Sequence, residues 1–392
     1  MLFRSGVVIT YESLRAANLM KLNSENGSKL WDVSKIINNV GGLTRTAILE
    51  FAKYSDDSFI AILQGRATNF TNLGKLFAQR YDADGIAIWE NMVEIHSSAG
   101  VTRMNRYDHF LDADENFYLN YNSNLDNSGI KYDAFVQKIS GAGEIPWGIN
   151  GKQITMGDFT NEQTPYMALS GDMIWAVATV ENGSDNKGIV VQKIDKESGD
   201  LIFGEDGEVI YTPGPTNFGA ILTSGLMVFD TIPVFLVAKT TDISVNPFVL
   251  NAVILTNEGV IFAETPLTGT VRKSNVKASI HGNQLVATWQ DFRQEGGEKI
   301  YAQNLIIERE YIAVNDLNAK IDIAIYPNPV NSVAKIMTNK NIQNVQILDN
   351  VGRMLFSTKE KEISFRNLKP GVYILKVTLD NGLIKSMKII KK

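Results

Sequence analysis

Short, nearly all-apolar runs recur along the chain: GVVITY, FIAILQ, FYLNY, MIWAVATV, VFLVAK and QLVATW. Runs of this length, rich in β-branched and aromatic residues, predict strands buried on both faces. After each run comes a segment in which apolar and polar residues alternate, then a turn ending in glycine, then a short strand with an aromatic residue. FAQRYDADGIAIW (Phe77 to Trp89) and FVQKISGAGEIPW (Phe135 to Trp147) show the plan, which LMKLNSENGSKLW, VVQKIDKESGDLIF and LNAVILTNEGVIF share. A further half-polar segment precedes the runs, as RTAILEF precedes FIAILQ and QTPYMAL precedes MIWAVATV, so each repeat offers four strands.

The turn glycines Gly27, Gly85, Gly143, Gly199 and Gly259 are spaced by 58, 58, 56 and 60 residues. Four strands in such a period predict an all-β fold built as a β-propeller, since a solenoid repeat needs only about 20 to 45 residues and an immunoglobulin-type sandwich about 100. A sheet apolar on both faces is unstable alone, so successive blades stack and bury one another. About six four-stranded blades are expected, with incomplete ends: the first starts at its second strand, and the last, opening at IYAQNL, stops at its third. Either the two ends complement each other in a closing blade, or further residues precede Met1. The glycines supply the positive φ of tight hairpins. The aromatic residues Trp31, Trp89, Trp147, Phe203 and Phe262 recur at blade spacing, which predicts packing between neighbouring blades over a stacking surface for sugars or quinones. Gln79, Gln137, Gln192 and Gln303 recur as well and are expected to make hydrogen bonds within the blades.

The chain has no Cys, which excludes disulfide scaffolds, thiol catalysis and Cys-ligated zinc or iron–sulfur sites. Runs such as IWAVATV fall far short of the roughly 20 apolar residues that a membrane-spanning helix needs, so no transmembrane segment is expected. The net charge of −5 is uneven: from Lys320 to Lys392 there are 13 Lys plus Arg against 5 Asp plus Glu, a balance of +8, which leaves the rest at −13. That places a boundary near residue 315, and an acidic body argues against nucleic acid as a partner. The three histidines, His96, His109 and His281, stand in different repeats and outside any HExxH or HxH spacing, so a His-built metal site is not expected. Asp82 and Asp84 belong to a hairpin turn, where Asp favours turn geometry. Asp112, Asp114 and Glu115 lack the Gly and the closing Glu of an EF-hand loop. With neither G-x-S-x-G nor a P-loop present, no catalytic, cofactor-binding or metal-binding residue is assigned.

The repeats resemble quinoprotein-like repeats. Thr288 to Leu305, TWQDFRQEGGEKIYAQNL, is similar to repeats of secreted propellers of the Bacteroidota, which pair a W-x-D-x-R strand with a YAQ strand. This resemblance spans about residues 6 to 308 and implies architecture alone; the cofactor ligands of quinoprotein dehydrogenases have no counterpart, so no cofactor is expected. Sialidase Asp boxes have the form S-x-D-x-G-x-x-W, whereas SENGSKLW and DADGIAIW carry one extra residue between Gly and Trp, and no arginine triad stands out.

From Ile321 the strands AKIM, VQIL, RMLF, ISF, YILKV and SMKII alternate with turns at Asn350-Val351-Gly352, Lys369-Pro370-Gly371 and Asp380-Asn381-Gly382. About seven strands in some 72 residues predict a compact β-sandwich. Four ordered motifs stand out: Tyr326-Pro327-Asn328-Pro329, then Asp349-x-x-Gly352-Arg353, then Leu368-x-x-Gly371-Val372-Tyr373-x-x-Lys376-Val377, and finally Lys388-Ile-Ile-Lys391-Lys392. On these motifs the segment closely resembles the type A C-terminal sorting domain of type IX secretion cargo in the Bacteroidota. The resemblance implies an N-terminal Sec signal, passage across the outer membrane through the type IX machinery, and then attachment to surface lipopolysaccharide or release. The opening MLFRSGVVITYES reads as a strand, so the Sec signal is expected upstream of Met1.

The expected organisation is propeller repeats over 1–308, a linker over 309–320 and a sorting domain over 321–392. The excess lysines of the tail protect exposed strand edges, or else they engage an acidic translocon component or an anionic glycolipid. The expected protein is secreted or held at the outer cell surface, with a propeller that binds a glycan or protein ligand. The alternatives are an extracellular glycan-active hydrolase or lyase on the same scaffold, and a purely structural propeller.

Overall fold

A computed structural model of the chain describes residues 2–3, 6–13, 15–67, 73–102, 108–124, 131–163, 165–183, 186–213, 221–239, 249–259, 261–267, 273–291, 293, 297–307, 324–338, 341–349, 354–379 and 384–392. It divides into two compact units, Met1–Ile307 and Glu308–Lys392. Among the described residues the regular structure is antiparallel β throughout, with one 3-10 turn at Val40–Gly42, and no helix is long and apolar enough to cross a membrane.

In the first unit, sheets follow one another along the chain. The first holds β1 (Leu2–Phe3), β2 (Gly6–Ser13), β3 (Ala16–Leu22) and β4 (Lys35–Ile37). The second holds β5 (Arg45–Lys53), β6 (Phe59–Arg66), β7 (Leu73–Tyr81) and β8 (Val93–Thr102). The third holds β9 (His109–Leu111), β10 (Phe117–Ser123), β11 (Asp133–Ile139) and β12 (Lys152–Gln153); the pairing of Ser123 with Val101 joins β10 to β8, so the second and third run on as one eight-stranded sheet. In the fourth, β13 (Asn161–Glu162) and β14 (Tyr166–Ser170) both pair with β15 (Met173–Glu181), followed by β16 (Lys187–Asp195) and β17 (Glu208–Tyr211). The fifth holds β18 (Ile221–Phe229), β19 (Ile232–Lys239), β20 (Val249–Leu255) and β21 (Ile261–Pro266), and the sixth β22 (Lys273–His281), β23 (Gln284–Asp291) and β24 (Lys299–Ile306).

Alternation along each central strand distributes the core. On β6, Phe59, Ala61 and Leu63 pack toward Val8 and Leu19 of the first sheet, while Ile60 and Ile62 pack toward Phe117 and Leu119 of the third. On β15, Ile174 and Ala176 join Tyr118 and Val136 of the third sheet, while Trp175 and Val177 join Phe235 and Val253 of the fifth. A period of 2 thus feeds two cores from one strand.

The end sheets depart from expectation. GVVITY and QLVATW have the composition of doubly buried strands, yet Ile9 and Tyr11 of β2 and Val286 of β23 are exposed, as are Ile36, Ile300 and Ile306 on the same two sheets. Among the described residues, one side of each packs inward while the other carries these exposed side chains, and composition cannot report which strand has two neighbours. The first sheet also does not begin at its second strand: Leu2 pairs with Val7 and Phe3 with Gly6.

In the second unit, β25 (Ala324–Tyr326), β26 (Val333–Met337) and β29 (Glu362–Ser364) form one sheet. The other, in the order β28-β27-β30-β31, is built from β27 (Ile342–Leu348), β28 (Met354–Thr358), β30 (Gly371–Leu379) and β31 (Ile384–Lys391). Val330, Ile336, Ile347, Phe365, Leu375, Val377 and Ile389 form one shared core. The expected linker, and the turns at 350–352 and 380–382, lie outside the described residues.

Candidate functional site

The turn glycines and the recurring aromatic residues meet across sheets. A Cβ on Gly85 would lie 2.8 Å from the ring of Trp31, one on Gly143 2.8 Å from Trp89, one on Gly199 2.8 Å from Trp147, and one on Gly259 2.9 Å from Phe203. In every case the ring belongs to the preceding sheet. Since these glycines also have φ between +74° and +88°, any side chain there is excluded twice, by backbone conformation and by space. Gly27 has φ +71° but nothing within 4 Å of its Cβ position. The side chain of Phe262 lies outside the described residues.

A cation fastens the same turns. Lys21 Nζ donates to Ala83 O at 2.9 Å, Arg80 Nη1 to Gly141 O at 3.0 Å, Lys138 Nζ to Lys196 O at 2.9 Å, and Lys193 Nζ to Asn257 O at 3.4 Å. Each of these basic residues except Lys21 follows a recurring glutamine. Gln79 donates to Trp89 O, Gln137 to Gly148 O and Gln192 to Gly204 O, all within their own sheets, while Gln303 lies on the exposed strand β24.

This lock repeats four times, joining each of the first five sheets to its neighbour. Several charged and amide side chains lie at or near strand ends in this unit, some of them buried. Asn122 and Glu162 are nearly inaccessible, and Asn122 donates to Glu162 O at 2.7 Å. Glu162 Oε2 accepts from Ala134 N at 2.8 Å, while its Oε1 has no partner among the described residues; burial, with Asp133 nearby, pushes its pKa up to about 8. Glu181 is held by Lys187 at 3.2 Å, Asn161 and Gln163, and Glu264 by Lys239 at 2.8 Å and the Tyr211 hydroxyl. In the sixth sheet, Asp291 is fully buried and accepts from Trp289 Nε1 at 2.9 Å and Arg293 Nε at 2.8 Å. Burial works to raise its pKa, but the hydrogen bonds from Arg293 and Trp289 outweigh it and leave the carboxyl at about 2. The W-x-D-x-R residues therefore form an internal clasp, with the guanidinium 4.1 Å from the Tyr301 ring centre. Burial likewise brings Lys273, paired in register with Asp291, down to about 8.

Two hollows open on the first sheet. One of about 680 Å³ is lined by Ser13, Arg15, Ala16, Ile36, Asn38, Asn39 and Thr44, and one of about 330 Å³ by Thr10, Tyr11, Glu12, Ala17 and Ile48. The first carries hydroxyl, amide and guanidinium groups of Ser13, Thr44, Asn38, Asn39 and Arg15 within a lining whose exposed surface is mostly apolar. Ser13, Arg15, Asn38, Asn39 and Thr44 of the first hollow sit at or just beyond strand ends, where the repeat pattern marks no residue.

The histidines are apart. His96 is fully buried, with Nδ1 3.2 Å from the Tyr121 hydroxyl and Nε2 unpartnered, and burial lowers its pKa to about 4. His109 lies 3.8 Å from Glu50, and His281 is exposed on β22. Asp82 Oδ1 accepts from the amides of Asp84 and Ile86, as a turn-forming Asp does. The carboxylates of Asp112, Asp114 and Glu197 come within 4.8 Å of one another. Lys138 binds Glu197 at 3.0 Å, Lys196 lies 4.0 Å from Asp112, and Asp112 also accepts from Asn116 and Tyr118, so internal partners already offset the charge. Glu197 could not be grouped with Asp112 from sequence, since it comes from the next repeat.

In the second unit, Tyr326 is 73% exposed, and the Tyr326–Pro327 and Asn328–Pro329 bonds are cis. Asn328 Oδ1 accepts from Ile390 N at 2.9 Å, Val330 N donates to Ile390 O at 2.7 Å, and Lys392 N donates to Val330 O at 2.9 Å. Val330 pairs with Lys391 in parallel. Leu368 packs against the core, Gly371 and Val372 pair with Lys391 and Ile390, Lys376 pairs with Ser386, and the Tyr373 hydroxyl donates to Lys369 O at 2.7 Å. Asp349 follows directly on β27. Gly352 and Arg353, and the side chain of Lys388, lie outside the described residues.

Residues 324–392 match the family described as the secretion system C-terminal sorting domain. No curated protein matches the chain. Among solved structures, a protein of unknown function from Dyadobacter fermentans is 12% identical over 76% of this chain and 87% of its own, with a TM-score of 0.39. An ulvan lyase described as a new family of polysaccharide lyase is 9% identical over 100% of this chain and 91% of its own, with a TM-score of 0.44. An endo-arabinase from Bacteroides thetaiotaomicron is 12% identical over 64% of this chain and 90% of its own, with a TM-score of 0.34.

Proposed function

We propose that the protein is a cargo of the type IX secretion system, carried to the cell surface or beyond it by residues 321–392 acting as a type A sorting domain. The observation that carries this reading is the family match over 324–392. It is supported by the way the second unit folds around its own core, as a two-sheet sandwich, so that it can serve as a separate address. The test is deletion of 308–392 in a host with the export machinery. The shortened protein is expected to stay in the periplasm, and unchanged export would refute the sorting role.

The first unit is read as a propeller of six blades, on the strength of its sheet order and the repeated lock. Its role is binding, with the hollow edged by Ser13, Arg15, Asn38, Asn39 and Thr44 taking a polar ligand such as a glycan or an extended protein segment. A hydrolase or lyase needs carboxylates free to move protons; Glu181, Glu264 and Asp291 are each held by a cation and further donors, which favours binding, while Glu162, buried and with its pKa raised to about 8, is the group that favours the catalytic alternative. Incubating the full chain with a panel of polysaccharides separates the two: binding without chain shortening, weakened by R15A with N39A, is expected. Release of oligosaccharides would overturn the binding reading.

A further inference from the structure

We propose that Asn328 is a positioning residue that clasps the end of β31, and that the export machinery reads Ile390–Lys392 as a rigid element because of this clasp. The proposal rests on the sorting role argued above. The first motif of the second unit, with Val330 directly after it, and the last motif are separated by about 60 residues, yet three hydrogen bonds join them: Asn328 Oδ1 with Ile390 N, Val330 N with Ile390 O, and Lys392 N with Val330 O.

Strand ends ordinarily fray, since their last residues are paired on one side only. Here Ile390 is flanked on one side by Val372 of β30 and on the other by the Asn328–Val330 segment. Val330 is fully buried in the core, so the segment is itself anchored and can hold what it touches. Asn328 suits the task chemically. Its neighbours Pro327 and Pro329 have no amide hydrogen, and it is the Asn328 side-chain oxygen that receives the Ile390 amide. The outcome is a fixed backbone path for Ile390, Lys391 and Lys392 beside the exposed side chain of Val372.

The experiment uses the full-length chain with N328A, N328D and N328S, and reads both amide hydrogen exchange and the exported fraction. In N328A, exchange at Ile390 and Lys392 is expected to rise about tenfold, the loss of about one hydrogen bond, with Leu375 unchanged and export cut several-fold. N328D keeps an acceptor oxygen at the same reach and is expected to restore both readouts. If N328A loosens all of the second unit, seen as faster exchange at Leu375, N328S takes its place, since its shorter hydroxyl falls away from the Ile390 amide. Exchange unchanged in the variants overturns the clasp. Faster exchange with normal export overturns its role in recognition. Normal export after deletion of 308–392 would instead refute the sorting reading itself.

Discussion

The first unit spreads its apolar residues over interfaces between successive sheets, each fed by alternate residues of a shared strand, while the second unit gathers its own into one core between two sheets. In the first arrangement a residue supports its own sheet and one neighbour. In the second, each core residue supports everything. Damage should therefore stay local in the first unit and become general in the second, as expected when repeats contact only their neighbours.

The largest expected effect is that of Trp175→Ala. Trp175 is fully buried between the fourth and fifth sheets, and its loss should cost about 3–5 kcal/mol. Hydrogen exchange should quicken in those two sheets and leave the second unit unchanged. Leu375→Ala should cost about 2–5 kcal/mol and raise exchange through β26, β27, β30 and β31 together. Equal spreading in the two variants would abolish the contrast drawn between the units.

A sharper test compares two glycines. Gly143→Ala meets both a positive φ and the Trp89 ring, whereas Gly27→Ala meets the positive φ alone. The strain of a left-handed backbone costs about 1–2 kcal/mol in each, and overpacking adds about 1–3 kcal/mol for Gly143 only. Chemical denaturation of the two variants measures the difference, and equal losses would mean that the ring contributes nothing to the lock.

His96 contributes one acid-sensitive part of the pH dependence, opposed over the same range by Glu162, whose raised pKa makes its protonation favour the folded state. The folded pKa of His96, about 4, lies below the ordinary value of 6.5 because burial disfavours the charged ring. The unfolded chain therefore binds the proton first, and the stability that His96 contributes above about pH 6.5 should fall as pH drops toward 4. Thermal melts of the protein and of H96Q between pH 7 and 4 should diverge, with the variant less sensitive to acid. The smallest effect is that of Lys138→Met, which deletes one cation and frees the Lys196 carbonyl and Glu197. Exposure of Glu197 limits the loss to about 1–2 kcal/mol.

Much of the scaffold was legible from pattern. Fully apolar runs marked β6, β15 and β19, and glycines marked the hairpins, because strand period and positive φ are local demands of the backbone. The recurring rings already pointed to packing between repeats, but most of what else is decided there was hidden. FYLNY becomes part of β10, which is buried from end to end, although its Asn120 reads as polar; its side chain donates to the Pro165 carbonyl of the next sheet and accepts from the Asp108 amide. The two end sheets read like the others and differ only in having a free face. Arg15, Asn38 and Asn39 carried no signal, since a hollow at strand ends is made by departures from the repeat. In the second unit the motifs were plain, but the bond between Asn328 and Ile390 joins residues that no local rule would pair.

The lock between ring and glycine also bears on how such a chain can change its length. Each ring meets a glycine one period further along, always in the same direction. Excising or copying a segment of one whole period leaves every remaining ring facing a glycine of the same kind, whereas a cut of half a period strands both. The number of sheets is thus free to vary by duplication or loss with no new interface to invent, and the four repeated contacts act as a splice rule written into the packing.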